Sequence, residues 1–272
     1  MLPYFFFTKL LTGTGCVTVL AGKGGKPVSK AYRVAPIASY PLLMSLLSGY
    51  PVGARVLGDL YEKGLISQED AIRSASFTST SGSMFVLGSV GAVILKDAKA
   101  GLIILIAHYL GALLNGLLYR GKKCARPLVL LPPLDASSDT LLSDAMYESV
   151  ISLGLVGGFI AVTGLLGDMA ADLLSYMGLR SFRSGGTLAS GLLFSLFEVT
   201  RGCVEFAAFG ASRVWTAAFA CFAISFGGLS VFLQSMAFLG KTGLKKEKLL
   251  LMKSSQAAVS FAICLGLGWL FL

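Results

Sequence analysis

Within four residues the sequence places a carboxylate, a hydroxyl and a guanidinium, Glu198, Thr200 and Arg201, inside an otherwise apolar stretch. An arginine fork can hold two oxygens of a carboxylate. An ionisable group at membrane depth costs about 2.5 to 3.5 kcal/mol on insertion scales and therefore needs a partner. Glu198 is the nearest one, which leaves two readings open: Arg201 grips an anionic solute, or the pair only braces this turn. Glu198 would alternatively titrate and couple protons to solute movement.

Three further interruptions have the same character. The run Ser48-Gly49-Tyr50-Pro51-Val52-Gly53-Ala54 lies between apolar arms, Thr78 to Ser83 is a run of small polar residues, and Ser225 to Ser230 holds two glycines. Unpaired backbone groups at membrane depth cost several kcal/mol each, so such breaks survive only where protein or a water-filled cavity covers them. Each break also starts a helix, near Val52, Met84, Cys203 and Leu229, whose first N–H groups lack partners and carry partial positive charge. Ser48, Thr78, Ser79, Ser81, Ser83, Thr200, Ser225 and Ser230 add hydroxyls, Gly49 and Pro51 shape the first tip, and Tyr50 offers a ring face and a phenol. The plainer reading of the Ser/Thr run is back-bonding to its own helix. His108, the only histidine, reads as a packed, hydrogen-bonded residue before it reads as a ligand. Arg55 reads as a membrane-edge residue rather than an anion contact, and Gln234 as a cavity-facing one.

These residues need elements to hold them. Fifty-five per cent hydrophobic residues, 14% charged residues and a mean hydropathy of +0.76 describe an all-α polytopic membrane protein, since a soluble domain carries roughly 25% charged residues. The arms beside Ser48 are shorter than the roughly 20 residues that span a bilayer, so they form a re-entrant hairpin, entering and leaving on one face. Ser67 with Asp70 three residues on predicts a helix start. The order span, hairpin, broken helix, span then occurs twice. The first repeat is 1–125, with its hairpin at 35–62, broken helix at 68–95 and span at 100–119. A cytoplasmic linker covers 126–147. The second repeat is 148–272, with its hairpin at 184–212, broken helix at 213–239 and span at 254–272. The apolar residues within the first 21 read as one retained span rather than a cleaved signal.

Charge placement orients this plan. The loops Gly22 to Arg33, Arg120 to Arg126 and Lys241 to Lys253 carry four, four and five Lys or Arg, which makes their side cytoplasmic. The hairpins then enter from opposite faces as an inverted repeat, their tips meeting near the midplane. The same distribution explains the formal charge of +9 without nucleic acid. Cys16, Cys124, Cys203, Cys221 and Cys264 show no ligand spacing. No nucleophile with a base in reach, Walker motif or metal-ligand set suggests an enzyme. The residues thus predict a transporter of a small polar solute with no cofactor. The coupling ion, H⁺ or Na⁺, stays open, as does homo-oligomerisation. A non-transporting scaffold or signalling partner is the rival class.

The two opposed hairpins and two broken helices resemble the core of concentrative nucleoside transporters and of the nucleoside-recognition (Gate) domain proteins. Within that group, Ser48 to Ala54, Phe77-Thr78, Ala107-His108-Tyr109-Leu110-Gly111 and Phe197-Glu198-Val199-Thr200 are similar to the sporulation integral membrane proteins of the YlbJ type. The resemblance implies transport of dipicolinic acid, a planar aromatic dicarboxylate, in the bacterial cell membrane that surrounds the forespore. A nucleoside or other small metabolite is the alternative cargo.

Overall fold

A computed structural model describes residues 2–13, 16–121 and 138–272. Among them are twelve α-helices, a π-helical segment, short 3-10 turns and no strand. Ala98–Leu118, Leu141–Tyr176, Arg213–Thr242 and Lys246–Phe271 are long and apolar enough to cross a bilayer. The chain is an all-α polytopic membrane protein.

The N-terminal residues form two helices, α1 (Leu2–Gly13) and α2 (Cys16–Tyr32), where a single span was expected. Helix α2 carries Lys23, Lys26 and Lys30 with Pro27 between them, so residues read as a basic loop are helical. A 3-10 turn, Pro36–Ala38, leads into α3 (Ser39–Ser48), and α4 (Val52–Glu62) follows after three residues. The two pack closely because Gly53 faces Ser45: a Cβ at Gly53 would lie 2.9 Å from that of Ser45. Helix α5 (Gln68–Ser74) begins at Ser67, whose hydroxyl accepts the Asp70 N–H at 3.2 Å. The chain then has no regular structure from Ser79 to Gly82 and resumes as a helix that becomes π-helical over Phe85–Ile94. Helix α6 (Ala98–Leu118) starts at Asp97, which accepts the Ala100 N–H at 3.1 Å.

Helix α7 (Ser138–Tyr176) has 39 residues, about 58 Å at 1.5 Å per residue, nearly twice the roughly 30 Å hydrocarbon core. It joins the described end of the linker to the first span of the second repeat and runs on to Tyr176. The linker before Ser138, with Cys124, lies outside the described residues. Helices α8 (Leu188–Phe197) and α9 (Val199–Ala208) make a second hairpin with Glu198 alone at its turn. A Cβ at Gly202 would sit 2.7 Å from the Ser195 Cα, the counterpart of the Gly53 contact. Gly227, in the left-handed region at φ +81°, ends α10 (Arg213–Phe226) and caps α11 (Gly228–Leu239).

Helix α12 (Lys246–Phe271) closes the bundle against α6 and α10. Its buried residues, Leu249, Met252, Lys253, Gln256, Ala257, Ser260 and Cys264, recur at helical spacing along one face. Lys253 therefore belongs to the bundle interior and not to the basic loop it was assigned to by charge. One apolar core surrounds the α3/α4 hairpin, and a second lies among α6, α9, α10 and α12.

Candidate functional site

In each half the broken helix crosses the tip of its own hairpin. Gly49 has φ +84°, and a Cβ there would overlap the Gly82 amide nitrogen. Gly228, also at positive φ, lies under the carbonyls of Ser195 and Phe197, which a Cβ would meet at 2.8 and 3.0 Å. Both approaches require glycine, and together they bring four polar breaks into one region.

Contacts between the halves run through Tyr50 and His108. The buried Tyr50 phenol donates to the Ile224 carbonyl at 3.2 Å, in the last turn of α10. His108 Nε2 is 2.8 Å from the Ser81 amide. That N–H can only donate, so Nε2 accepts and Nδ1 carries the proton it shares with Ser225 Oγ at 2.7 Å. Both ring nitrogens serve packing between the breaks, in line with the plainer reading of this histidine. On the α12 side, the Ser79 carbonyl accepts from Gln256 Nε2 at 3.2 Å and from Lys253 Nζ at 3.4 Å. Ser45 and Thr80 hydroxyls share a 2.8 Å bond that ties hairpin to break.

Between the two hairpin tips lies a cavity of about 560 Å³. Ser48 and Tyr50 line it from the first tip, Ser81 and Gly82 from the first break, Glu198 and Thr200 from the second tip, and Ser230 and Gln234 from α11. Apolar side chains, including Val156 and Ile160 of α7, supply much of the remaining wall. Ser48 Oγ is buried and makes no hydrogen bond within the protein. A buried hydroxyl left so costs about 1 to 3 kcal/mol. Gln234 Nε2 donates to Ser230 Oγ at 2.9 Å.

Of the residues expected to form a site, Ser48, Tyr50, Ser81, Glu198, Thr200 and Ser230 therefore meet at one cavity. The others lie elsewhere. Thr78 bonds back to the Ser74 carbonyl at 2.9 Å, as the plainer reading of the Ser/Thr run has it. Ser79 turns its carbonyl to α12, and Ser225 is engaged by His108. Gly49 and Pro51 build the tip, and Ser83 opens the following helix.

Arg201 does not pair with the Glu198 side chain as a charge partner. Glu198 has φ −145° at the N-cap of α9, so its carboxylate folds onto the first turn. Oε2 accepts the Arg201 backbone N–H at 2.8 Å, and Oε1 accepts the Thr200 hydroxyl at 3.1 Å. The Arg201 side chain, 52% exposed, instead turns its guanidinium to Glu205 Oε1 at 3.2 Å and stacks it 4.7 Å over Phe194. Glu205 in turn accepts from Gly186 N–H and Ser190 Oγ, at 2.8 and 2.9 Å. Arg201 thus braces the outer face of the second hairpin and does not line the cavity. Arg55 is likewise committed: it reaches Glu148 at 2.8 Å and Ser152 Oγ at 2.6 Å, tying the first hairpin to α7.

The chain is 30% identical over 277 aligned residues to the sporulation integral membrane protein YlbJ of Bacillus subtilis (strain 168), covering 90% of this chain and 67% of that one. It belongs to the YlbJ family of sporulation integral membrane proteins. No family model matches it. No solved structure matches it either.

For this YlbJ-family chain, sequence reasoning missed Lys253, Gln256 and Ser45, all buried beside the breaks. The signal for the first two was the helical spacing of α12, in which Lys253 and Gln256 share a phase with Leu249, Met252 and Ser260. Ser45 falls one helical turn before Ser48 and gave no separate mark.

Proposed function

We propose that this YlbJ-family protein is a membrane transporter of a small polar or anionic solute, dipicolinic acid in sporulation, and not an enzyme. The observation that carries the reading is the cavity between the two hairpin tips, with Ser48, Glu198, Thr200, Ser230 and Gln234 among its lining residues. Its volume of about 560 Å³ falls in the roughly 300 to 1,000 Å³ range of small-molecule pockets, and its apolar lining with a few polar groups fits a flat ring. Two hairpins that uncover the cavity in turn would give alternating access, the scheme of inverted-repeat transporters. The resemblance to nucleoside-recognition (Gate) proteins belongs to this reading, as does placement in the membrane around the forespore.

A nucleoside is the second reading, and a specific feature favours it. Glu198, Ser230 and Gln234 line the cavity, while no Lys or Arg among the described residues does. Hydrogen-bonding groups of that kind suit a neutral polar solute. Binding of radiolabelled dipicolinate to the purified chain, challenged with unlabelled nucleosides, separates the two. Saturable binding that nucleosides leave intact supports dipicolinate, displacement by a nucleoside supports the second reading, and no saturable binding of dipicolinate or, in a parallel titration, of a radiolabelled nucleoside sinks transport at this cavity.

A further inference from the structure

The positive charge that an anion needs stands just behind the cavity wall, on α12. Lys253 is 2% exposed. Its ammonium lies 3.4 Å from the Ser79 carbonyl and 4.2 Å from the centre of the Tyr50 ring. Among the described residues no Asp or Glu pairs with it. An ammonium has three N–H donors, and one long carbonyl bond with one ring face leaves donor capacity unused. Buried charges are ordinarily paired, and intramembrane lysines mark ion or solute paths by default.

Tyr50 lines the large cavity, whereas Lys253 is among the residues lining a second one of about 220 Å³. Leu196, Phe226, Phe232 and Leu250 wall it, and Gly228 at the start of α11 completes it. Helix α11 has 12 residues and no side chain capping its first turn, so its leading N–H groups add positive potential. The Ser195 and Phe197 carbonyls, close under Gly228, offset part of that partial charge. Lys253, when protonated, outweighs that offset.

We propose that Lys253 and the first turn of α11 form an anion site in this second cavity, for a carboxylate on a small apolar body. The volume lies below the usual range for drug-sized ligands, which limits the body to one ring or a short acyl chain. Leu196 and Leu250 are about half exposed on the surface, so the carboxylate can come from solution or from the bilayer. As a second station for the transported solute, next to Tyr50, the site rests on the transport reading. Binding itself does not.

The test uses the full chain in phosphatidylcholine nanodiscs, titrated with benzoate as the soluble probe and octanoate as the acyl probe. Wild type binds at least one of them saturably, and which one identifies the source. Lys253→Met lowers affinity tenfold or more, Lys253→Arg restores part of it, and Phe232→Trp, which fills the cavity but keeps the charge, lowers it too. Lys248→Met, which removes an exposed charge from the same helix, leaves it unchanged. Binding of neither probe to wild type, or equal binding by Lys253→Met, overturns the proposal. Lys253-dependent benzoate binding without uptake of either dipicolinate or a nucleoside sinks the transport reading alone. Saturable uptake without Lys253-dependent binding sinks this inference alone.

Discussion

Gly49 and Gly82 meet backbone to backbone, with the Gly82 amide occupying the space a Gly49 side chain would need. Gly49 also has φ +84° with ψ −165°, a region essentially reserved for glycine, where a Cβ costs about 1 to 3 kcal/mol before any clash. Gly49→Ala should destabilise the chain by at least about 2 kcal/mol, read as a fall of several degrees in Tm in detergent. Gly64→Ala is the control: it shares positive φ but has open space around it, so it should lose only the conformational part.

Arg55 is a buried cation satisfied by Glu148 and Ser152. Removing one partner of a buried pair leaves the other uncompensated, at about 3 to 5 kcal/mol. Glu148 keeps Lys9 as a second partner, so Arg55→Met should fall at or below the low end of that range. A double-mutant cycle with Glu148→Gln, followed by denaturant unfolding, should give a coupling energy above about 1 kcal/mol. Additive effects would show that the pair does not fasten the first hairpin to α7.

Asp97 caps α6 and pairs with Arg213 at 2.6 Å. Burial pushes its carboxyl up, but the Ala100 N–H and the Arg213 guanidinium together hold it below the usual carboxylate range. A depressed folded value means that the stabilisation is complete above the unfolded value of about 3.9 and is lost as pH falls through the folded one. The Tm gap between wild type and Asp97→Asn should therefore be constant from pH 7 to 5 and close on further acidification. The gap should also be small, since Asn still caps and the Arg213 side chain is largely exposed.

Thr80 and Ser81 separate transport from scaffolding. Thr80 holds Ser45, and Ser81 both lines the cavity and gives its N–H to His108. Ser81→Val preserves the backbone bond but makes the cavity wall apolar. If the chain transports, Ser81→Val should lower uptake by about tenfold, as for a lost hydrogen bond to a solute, with Tm nearly unchanged. Full sporulation activity in a chain carrying that change would instead fit a partner protein.

Much of the fold was legible because polar, glycine-bearing breaks in apolar segments have few solutions in a membrane. Ser67 with Asp70 marked the start of α5, and Gly227-Gly228 the gap between α10 and α11. Charge was the less faithful guide. Lys253 sits in a basic run that counting assigns to a loop, yet its helical phase with Leu249 and Gln256 buries it. Arg201 has carboxylates three residues before and four after it. Helix α9 begins only after Glu198, so that residue becomes the cap and Glu205, one turn on, becomes the partner. The two N-terminal helices were read as one span because apolar residues resume after Gly13, although Thr12-Gly13-Thr14-Gly15 is itself a polar, glycine-bearing break at the end of α1.

The central claim, that a solute binds between the two hairpin tips, is tested most directly by solute protection of Ser48→Cys and Ser230→Cys. Each is placed singly in a chain whose five native cysteines are replaced, and labelled with a water-soluble thiol reagent in proteoliposomes that take up dipicolinate. The account predicts that dipicolinate slows labelling at both positions with one half-protection concentration, equal to that for uptake. Labelling at both positions that saturating dipicolinate leaves unchanged would contradict it.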